Sequence, residues 1–195
     1  MILAIFDFDG TITKKDSFVE FIFYTHGTAK TFLNGLVLSP ILILYFLKIL
    51  PNWKTKEIFL TYFYKGWDKK RFNAAALNYS QKKLPQIIKK SAMEKLQWHK
   101  KEEHKVVVVS ASFENYLQPW CQKEGLDLIA TKVEFIDNKI SGNFMGKNCY
   151  GEEKISRIKE KYNLKSFDCI YAYGDSKGDL ALKNIASEFH YKTFQ

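Results

Sequence analysis

The stretch ILAIFDFDGT, residues 2–11, places a nearly continuous apolar run directly before two aspartates, a glycine and a threonine. Such a run predicts a short buried strand that ends in a polar loop. KVVVVS at residues 105–110 and DCIYAY at residues 168–173, which Gly-Asp-Ser follows, repeat the pattern. Amphipathic stretches alternate with these runs, at residues 112–124, 152–162 and 176–186. The alternation predicts an α/β protein with a parallel sheet.

The segment between the first two strands is far longer than an ordinary crossover connection, and it is mostly helical in character. We therefore expect a helical cap inserted over residues 17–98, with residues 1–16 and 99–195 forming the α/β core. Residues 132–144 (KVEFIDNKISGNF) alternate in polarity around an Asp-Asn pair, which predicts a β-hairpin flap.

The composition describes a folded protein with a basic surface. Of 195 residues, 46% are hydrophobic and 16% aromatic, which excludes a disordered chain. The net charge of +9 favours an anionic partner, such as a phosphorylated metabolite, nucleic acid or an acidic membrane surface. The lysines are dispersed, and no zinc-finger spacing or RNP-like motif occurs, so nucleic acid is disfavoured. No feature indicates a protein partner.

The cysteines and the first residues indicate a cytoplasmic protein. Three cysteines, an odd number at wide spacing, fit neither a disulfide framework nor a metal knuckle. The first apolar run reaches an aspartate too soon for a signal peptide. We therefore expect reduced thiols and a cytoplasmic location, with membrane association as an open alternative.

Four polar side chains fall at predicted carboxyl ends of strands, where an open parallel sheet binds its ligands: Asp7, Asp9, Ser110 and Asp175. Carboxylates in an apolar setting need a partner, and oxygen ligands favour Mg²⁺. Asp7 and Asp9 point to the same side of an extended chain, so one can attack phosphorus while the other transfers protons. A single Asp-x-Asp pair could instead form a turn and a helix cap, but its place after the first strand disfavours this interpretation.

The signals at Ser110 and Asp175 are weaker when each is taken alone. Ser110 follows four valines and opens a predicted helix, so its hydroxyl and the adjacent backbone N–H groups, including that of Ala111, could bind an anion. Taken alone, Ser110 is better explained as an ordinary helix N-cap. Asp175 and Asp179 share one face if their segment is helical, and together they could hold one metal ion.

FDFDGT, the strand-end Ser110, GEEKISRIKE and YGDSKGD follow the order of the four motifs of the haloacid dehalogenase superfamily, which the chain resembles along its length. The helical insertion after the first motif is similar to that of the phosphoserine-phosphatase-like subfamily, subfamily IB. The resemblance implies a Rossmann-like parallel core, a C1-type helical cap and a phosphatase that forms an aspartyl-phosphate intermediate.

The resemblance also implies a role for each motif residue. Asp7 would be the nucleophile and Asp9 the acid/base. Asp175 would ligate Mg²⁺ together with Asp7 and the Asp9 carbonyl, and Asp179 would support that site. The phosphate group would be bound by Thr11, Ser110, Ala111 and Lys154, with Thr11 shaping the phosphate loop.

The third motif has two candidate lysines, Lys147 and Lys154. We choose Lys154 because Gly-Glu-Glu-Lys starts an amphipathic helix in the manner of the family, which leaves Lys147 in the preceding loop. Either ammonium group could neutralise phosphate charge, and without the motif order either would be an ordinary surface lysine.

Three departures from phosphoserine phosphatases concern the substrate. Asp16 stands where those enzymes carry a glutamate in the substrate pocket, so Asp16 is a candidate specificity residue. Ala111-Ser112 replaces a Gly-Gly pair, and Gly178 replaces an asparagine. Phosphoserine is therefore disfavoured as the substrate.

Residues 32–50 (FLNGLVLSPILILYFLKIL) form the most apolar window of the chain. An asparagine, a proline and a lysine interrupt it, and we expect a buried cap helix rather than a membrane span. A similar apolar cap segment marks the phosphatidylglycerophosphatase C branch of the subfamily, which makes a lipid phosphate an alternative to a small soluble metabolite. With its lysine-rich flanks, the segment could also contact an anionic membrane peripherally.

Taken together, these patterns predict a Mg²⁺-dependent phosphatase that acts on a phosphomonoester. Two alternatives from other classes are a non-catalytic Mg²⁺-dependent phosphoacceptor, like a response-regulator receiver, and a membrane-peripheral binding module. The large cap and the separate DxDGT pair disfavour the first, and the complete set of motif residues disfavours the second.

Overall fold

β1 (Ile2–Phe6) is the central strand of a five-stranded parallel sheet in a computed structural model that describes residues 1–195. β2 (Lys105–Phe113) and β6 (Cys169–Gly174) flank it, and β3 (Asp127–Thr131) and β7 (Glu188–Tyr191) form the edges, in the order β3-β2-β1-β6-β7. β2 and β3, which come earlier in the chain, lie on one side of β1, and β6 and β7 lie on the other. The strand order therefore reverses at β1, where ligands bind in such sheets. The predicted parallel α/β fold is confirmed.

Side chains of the central strands alternate between two hydrophobic cores, one on each face of the sheet. Phe6 and Val108 contribute to the larger core, whereas Ile5 and Val107 contribute to the smaller one. All four side chains are fully buried. Burial on both faces explains why these strands are continuous apolar runs in the sequence.

Helices cover both faces of the sheet. α6 (Lys90–Lys101) and α7 (Glu114–Glu124) contribute Leu96 and Leu117 to the larger core, and α8 (Glu152–Lys161) contributes Ile158 to the smaller one. The amphipathic stretch predicted at residues 176–186, after β6, forms a 3₁₀ helix at Lys177–Asn184. A further 3₁₀ turn spans Leu164–Ser166.

A helical insertion follows β1 and rejoins the core through a narrow neck. Its elements are α1 (Ser17–His26), α2 (Thr28–Val37), α3 (Ser39–Phe46), α4 (Asn52–Tyr64), α5 (Lys69–Lys82) and a 3₁₀ turn (Leu84–Ile87). At the neck, Thr13 and Ile88 form an antiparallel bridge, and Lys89 donates its backbone N–H to Ile12 O (2.8 Å). The next helix, α6, packs on β2. We therefore propose that the cap ends near residue 89 rather than at residue 98.

The predicted β-hairpin is present and extends the cap. β4 (Val133–Ile136) pairs antiparallel with β5 (Lys139–Phe144), and both residues of the intervening Asp137-Asn138 turn have positive φ angles. Asn and Asp tolerate this conformation, which suits a tight hairpin turn. Gly66, at the end of α4, donates its N–H to Ile140 O (2.9 Å), so the hairpin is tied to the helical insertion.

The prediction of a buried helix over residues 32–50 is wrong. The segment contains the end of α2 and all of α3, which meet at Leu38 at an angle of 65°. Pro40 lacks a backbone N–H and therefore cannot continue the hydrogen bonds of α2. Leu38 is buried, but no residue of α3 is. No single helix is long and apolar enough to cross a membrane, although the bent pair meets that requirement in length and composition.

A buried histidine packs against one face of the sheet. His99 on α6 is fully buried beside Phe6 and Tyr173. Its Nε2 lies 2.9 Å from the Tyr173 hydroxyl, and its Nδ1 lies 2.8 Å from Nδ1 of His104. Burial lowers the pKa of His99 to about 3, and the positive charge of Lys95 adds to this effect.

This pKa predicts a specific loss of stability in mild acid. An unfolded histidine titrates near 6.5, so between pH 6.5 and about 3 the unfolded state binds one more proton than the folded state. The free energy of unfolding should therefore fall by up to about 1.4 kcal/mol per pH unit as the pH decreases. His99→Gln, which cannot titrate, should flatten this dependence between about pH 6.5 and 5 in urea unfolding. Equal slopes in the two proteins would contradict the assignment.

Candidate active site

Three carboxylates converge where the sheet reverses its strand order. Asp7 follows β1, Asp175 follows β6, and Asp179 lies in the 3₁₀ helix beyond it. One carboxylate oxygen from each lies within 4.8 Å of the others. The parallel register brings these residues together, because β1 and β6 end at the same edge of the sheet.

Asp7 is a buried carboxylate held from two sides. Its Oδ1 accepts a hydrogen bond from Lys154 Nζ (2.5 Å), and its Oδ2 lies 3.2 Å from the Thr11 hydroxyl. Burial raises the pKa of Asp7 to about 7, Lys154 opposes the shift, and Asp179 adds to it. One lysine is therefore insufficient to compensate the charge of this carboxylate.

Lys154 is the lysine that the structure brings to the carboxylates. Its side chain is only 2% exposed, and Nζ also donates to Asp179 Oδ1 (2.7 Å). Burial alone would lower the pKa of Lys154, but Asp7 and Asp179 outweigh it and raise the pKa. Lys147, by contrast, is exposed. The ammonium group of Lys154 is therefore charged, and it points toward the carboxylates of Asp7 and Asp179.

Asp179 is occupied by structural contacts. Its Oδ2 accepts hydrogen bonds from the backbone N–H (2.9 Å) and the hydroxyl (2.7 Å) of Ser176, which form a capping box. Burial raises the pKa of Asp179, but Lys154 and Ser176 outweigh burial, and the net shift is downward. Asp179 thus remains ionised and anchors both Lys154 and the loop that carries Asp175.

Asp175 lies against the loop that follows β1. Its Oδ1 is 3.3 Å from the Thr11 hydroxyl, and burial together with Asp179 raises its pKa. Gly10 has a φ of +80°, and a Cβ atom there would lie 2.2 Å from Asp175 Oδ2. The glycine of the first motif is therefore required both by its backbone conformation and by the close approach of this carboxylate.

The cluster has the charge and the donor atoms that a divalent cation requires. Three carboxylates face one ammonium group, so three negative charges minus one positive charge leave two without a contacting counter-charge. All the free donors are oxygens, which suits Mg²⁺. Both oxygens of Asp179 are held by short hydrogen bonds, whereas Asp7 Oδ2 and Asp175 Oδ1 share only long contacts to the Thr11 hydroxyl (3.2 and 3.3 Å). Asp7 and Asp175 are therefore the side chains that could hold the ion directly.

Asp9 turns away from this cluster toward the cap. Its Oδ1 accepts the backbone N–H of Ser17 at the start of α1 (2.7 Å), and its Oδ2 accepts the Ser112 hydroxyl. Burial and the charge of Asp16 raise the pKa of Asp9, whereas Lys56 lowers it. A carboxyl group with a raised pKa is suited to donate a proton.

Ser110 is not the helix N-cap that its position suggested. β2 continues to Phe113, with a shift in pairing after Ser110, and α7 begins only at Glu114. The buried Ser110 hydroxyl accepts the backbone N–H of Ser112 (3.0 Å). The irregular strand end thus forms a tight polar turn beside Asp9.

Comparison with known families agrees with this geometry. The model of the haloacid dehalogenase-like hydrolases matches residues 4–182, from β1 to the 3₁₀ helix after β6. The chain is a haloacid dehalogenase-like hydrolase. The match confirms the predicted superfamily and the predicted hydrolase class, while the phosphatidylglycerophosphatase C branch remains a prediction.

The hydrolase is similar to the protein CicA of Caulobacter vibrioides, with 31% identity over 196 residues that cover 100% of this chain and 87% of CicA. Among solved structures, it resembles a protein of unknown function from Bordetella pertussis Tohama I (TM-score 0.84, 20% identity, 96% of this chain and 88% of that chain). It also resembles a phospho-aspartyl intermediate analogue of phosphoserine phosphatase (TM-score 0.62, 23% identity, 96% and 84%). At these identities the two structures establish a shared fold.

Asp16, the candidate specificity residue, caps a helix in the hydrolase. Its Oδ1 accepts the backbone N–H groups of Phe18 (2.9 Å) and Val19 (3.0 Å) at the start of α1. The residue is exposed. This capping contact is enough to account for an aspartate at position 16, and a role in substrate recognition is not needed to explain it.

Sequence reasoning did not identify the contacts of Lys56 and Ser112 in this hydrolase. Lys56 on α4 donates to the carbonyl of Ala111 (3.3 Å), which brings a positive charge from the cap to the end of β2. The Ser112 hydroxyl donates to Asp9, and the Ser17 hydroxyl contacts the hydroxyls of both Ser112 and Tyr116. Ser112 could have been suspected from the departure at the Gly-Gly pair, whereas Lys56 is one of 30 basic residues and carries no sequence signal.

The two candidate lysines of the hydrolase predict different effects on turnover. Lys154→Ala removes the charge that contacts Asp7, and turnover should fall by about 10²–10³-fold. Lys147→Ala removes an exposed side chain and should change turnover by less than about twofold. Steady-state kinetics on a phosphomonoester, with circular dichroism to check folding, would measure both. A larger loss in Lys147→Ala would show that the third motif is placed wrongly.

Proposed function

We propose that the hydrolase is a Mg²⁺-dependent phosphatase that cleaves phosphomonoesters through an aspartyl-phosphate on Asp7. The observation that carries the proposal is the Asp7 carboxylate, buried between Lys154 and Thr11 at the end of the central strand. Asp9, two residues later, offers a second carboxyl group with a raised pKa. A nucleophile and a proton donor on one loop are what a two-step transfer of a phosphoryl group requires.

In the first step, a carboxylate oxygen of Asp7 forms a bond to phosphorus as the bond between phosphorus and the ester oxygen breaks. The departing alkoxide takes the proton of Asp9 and leaves as an alcohol. Lys154 stays charged and offsets negative charge at Asp7 and the phosphoryl oxygens. The hydroxyls of Thr11, on the loop after β1, and of Ser110, near the end of β2, would border the phosphoryl group.

In the second step, Asp9 accepts a proton from water, and the water oxygen forms a bond to phosphorus. The bond between phosphorus and Asp7 breaks, which releases inorganic phosphate and returns Asp7 as a carboxylate and Asp9 in its protonated form. Mg²⁺ bound by Asp7, Asp175 and the Asp9 carbonyl would neutralise negative charge on the phosphoryl oxygens.

Two substrate classes remain candidates: a small soluble metabolite and a lipid phosphate such as phosphatidylglycerophosphate. The capping contact of Asp16 supports a substrate other than phosphoserine, because this carboxylate is committed to α1. The exposed apolar face of α2 and α3 favours a lipid phosphate. A screen of both classes with and without Mg²⁺ would separate them.

Substitution of the two aspartates should separate the two steps. Asp7→Asn keeps the shape but removes the nucleophile, so turnover should fall by at least about 10³-fold. Asp9→Asn should retain slow phosphoenzyme formation from p-nitrophenyl phosphate, whose leaving group needs little protonation, and should accumulate the intermediate. After reaction with p-nitrophenyl phosphate that is radiolabelled in its phosphate group, we expect label to remain on the Asp9→Asn protein and to be absent from the Asp7→Asn protein. Near-normal turnover by Asp7→Asn would exclude the covalent mechanism.

Activity should also depend on the cation. Chelation should abolish turnover and added Mg²⁺ should restore it, since two negative charges at Asp7 and Asp175 would otherwise repel the phosphate group. Ca²⁺ should substitute poorly because it accepts more ligands and would engage the oxygen that must attack. Full activity after exhaustive chelation, measured with p-nitrophenyl phosphate, would disprove the metal requirement.

A further inference from the structure

An apolar surface projects from the cap on α2 and α3. Its members are large apolar side chains that are each between 57% and 74% exposed: Phe32, Leu36, Val37, Ile43, Phe46 and Leu47. We call these six residues the hairpin surface. Soluble domains rarely expose so many adjacent large apolar side chains, and a larger exposed patch marks a site of interaction.

The hairpin surface is largely separate from the core of this chain. α3 packs mainly against α2 and α4, none of its residues is buried, and Ile41 is partly buried against the larger core. Exposed apolar side chains occur along both helices. A helix that is apolar around most of its circumference, as α3 is, fits an apolar medium better than the surface of a polar partner.

The charges within the segment that carries the hairpin surface are all positive. No aspartate or glutamate occurs between Glu20 and Glu57, while Lys30, Lys48, Lys54 and Lys56 lie in this interval. Lys30 and Lys48 are exposed and form no ion pair. Two copies that met through this surface would bring like charges together, whereas an anionic lipid surface would attract them.

A chain of contacts connects α3, which carries part of the hairpin surface, to the candidate active site. The Tyr45 hydroxyl of α3 accepts a hydrogen bond from Asn52 (3.4 Å), and Asn52 in turn accepts one from Asn148 (3.4 Å). Two residues beyond Asn148, the ring of Tyr150 covers Gly178, where a Cβ atom would lie 2.3 Å from it. Gly178 directly precedes Asp179, so a short chain of contacts leads from the surface to the carboxylate cluster.

We propose that the hairpin surface inserts into the headgroup region of an anionic bilayer and holds the active site near the lipid surface. The apolar side chains supply burial, and Lys30 and Lys48 supply electrostatic attraction that salt screens. The inference deepens the proposed function by placing the phosphatase at a membrane, but binding itself does not depend on catalysis.

Sedimentation of the full chain with vesicles tests the proposal. The protein should pellet with vesicles of phosphatidylcholine and phosphatidylglycerol, should bind phosphatidylcholine alone weakly, and should dissociate as salt increases. Ile43→Glu and Phe46→Glu should each weaken binding by about tenfold or more, because each places a carboxylate in the headgroup region. Ile136→Glu is the matched control, since Ile136 is equally exposed on the tip of the β-hairpin and should leave binding unchanged.

Two further measurements keep the outcomes distinct. Ile43→Glu and Phe46→Glu should keep wild-type turnover of p-nitrophenyl phosphate, and Asp7→Asn should bind vesicles normally, so failure of docking and failure of the catalytic proposal would be told apart. Sedimentation velocity without vesicles should show a monomer. A dimer that Phe46→Glu dissociates would identify a subunit interface, and either that result or the absence of vesicle binding would overturn the proposal.

Discussion

The ammonium group of Lys154 lies between the carboxylates of Asp7 and Asp179, and the organisation of the site depends on this contact. It joins the end of β1, the first turn of α8 and the loop after β6. Burial of a charged group requires a partner, and here one lysine serves two acids. The pKa of Asp7 nevertheless remains raised to about 7, since Lys154 does not offset burial and the neighbouring carboxylates. The same arrangement that packs the site therefore leaves carboxylates that could hold the proposed Mg²⁺.

Asp9, the proposed acid/base residue, is connected to the cap as well as to the core. Asp9 accepts hydrogen bonds from Ser17, the first residue of α1, and from Ser112, at the end of β2. The Tyr79 hydroxyl of α5 donates to Ser17 O (3.0 Å), which ties a second cap helix to the same point. The position of the cap and the environment of Asp9 are thus linked through a few hydrogen bonds, so the inserted helices help to set the chemistry.

The cap has two surfaces of opposite character. One side contributes Phe21, Tyr64, Phe72 and Tyr79 to the larger hydrophobic core, where aromatic rings pack edge to face and at tilted angles. The other side, formed by α2 and α3, exposes large apolar side chains. Burial of apolar area in the core stabilises the fold, and burial of the apolar area of α2 and α3 against a partner would stabilise binding in the same way. This contrast within one insertion supports the proposed contact of α2 and α3 with a lipid surface.

The order of acidic and small residues after apolar runs determined the parallel sheet, the strand ends and the family, because period and local turn chemistry are properties of the chain itself. The β-hairpin followed from the Asp137-Asn138 turn for the same reason. Only the tertiary structure decided that Asp179 anchors Lys154. It also brought Ser112 and Lys56 to the loops around Asp9, and it left α3 uncovered. These features depend on which distant elements meet, and an apolar pattern of residues is the same whether a partner covers it or water does.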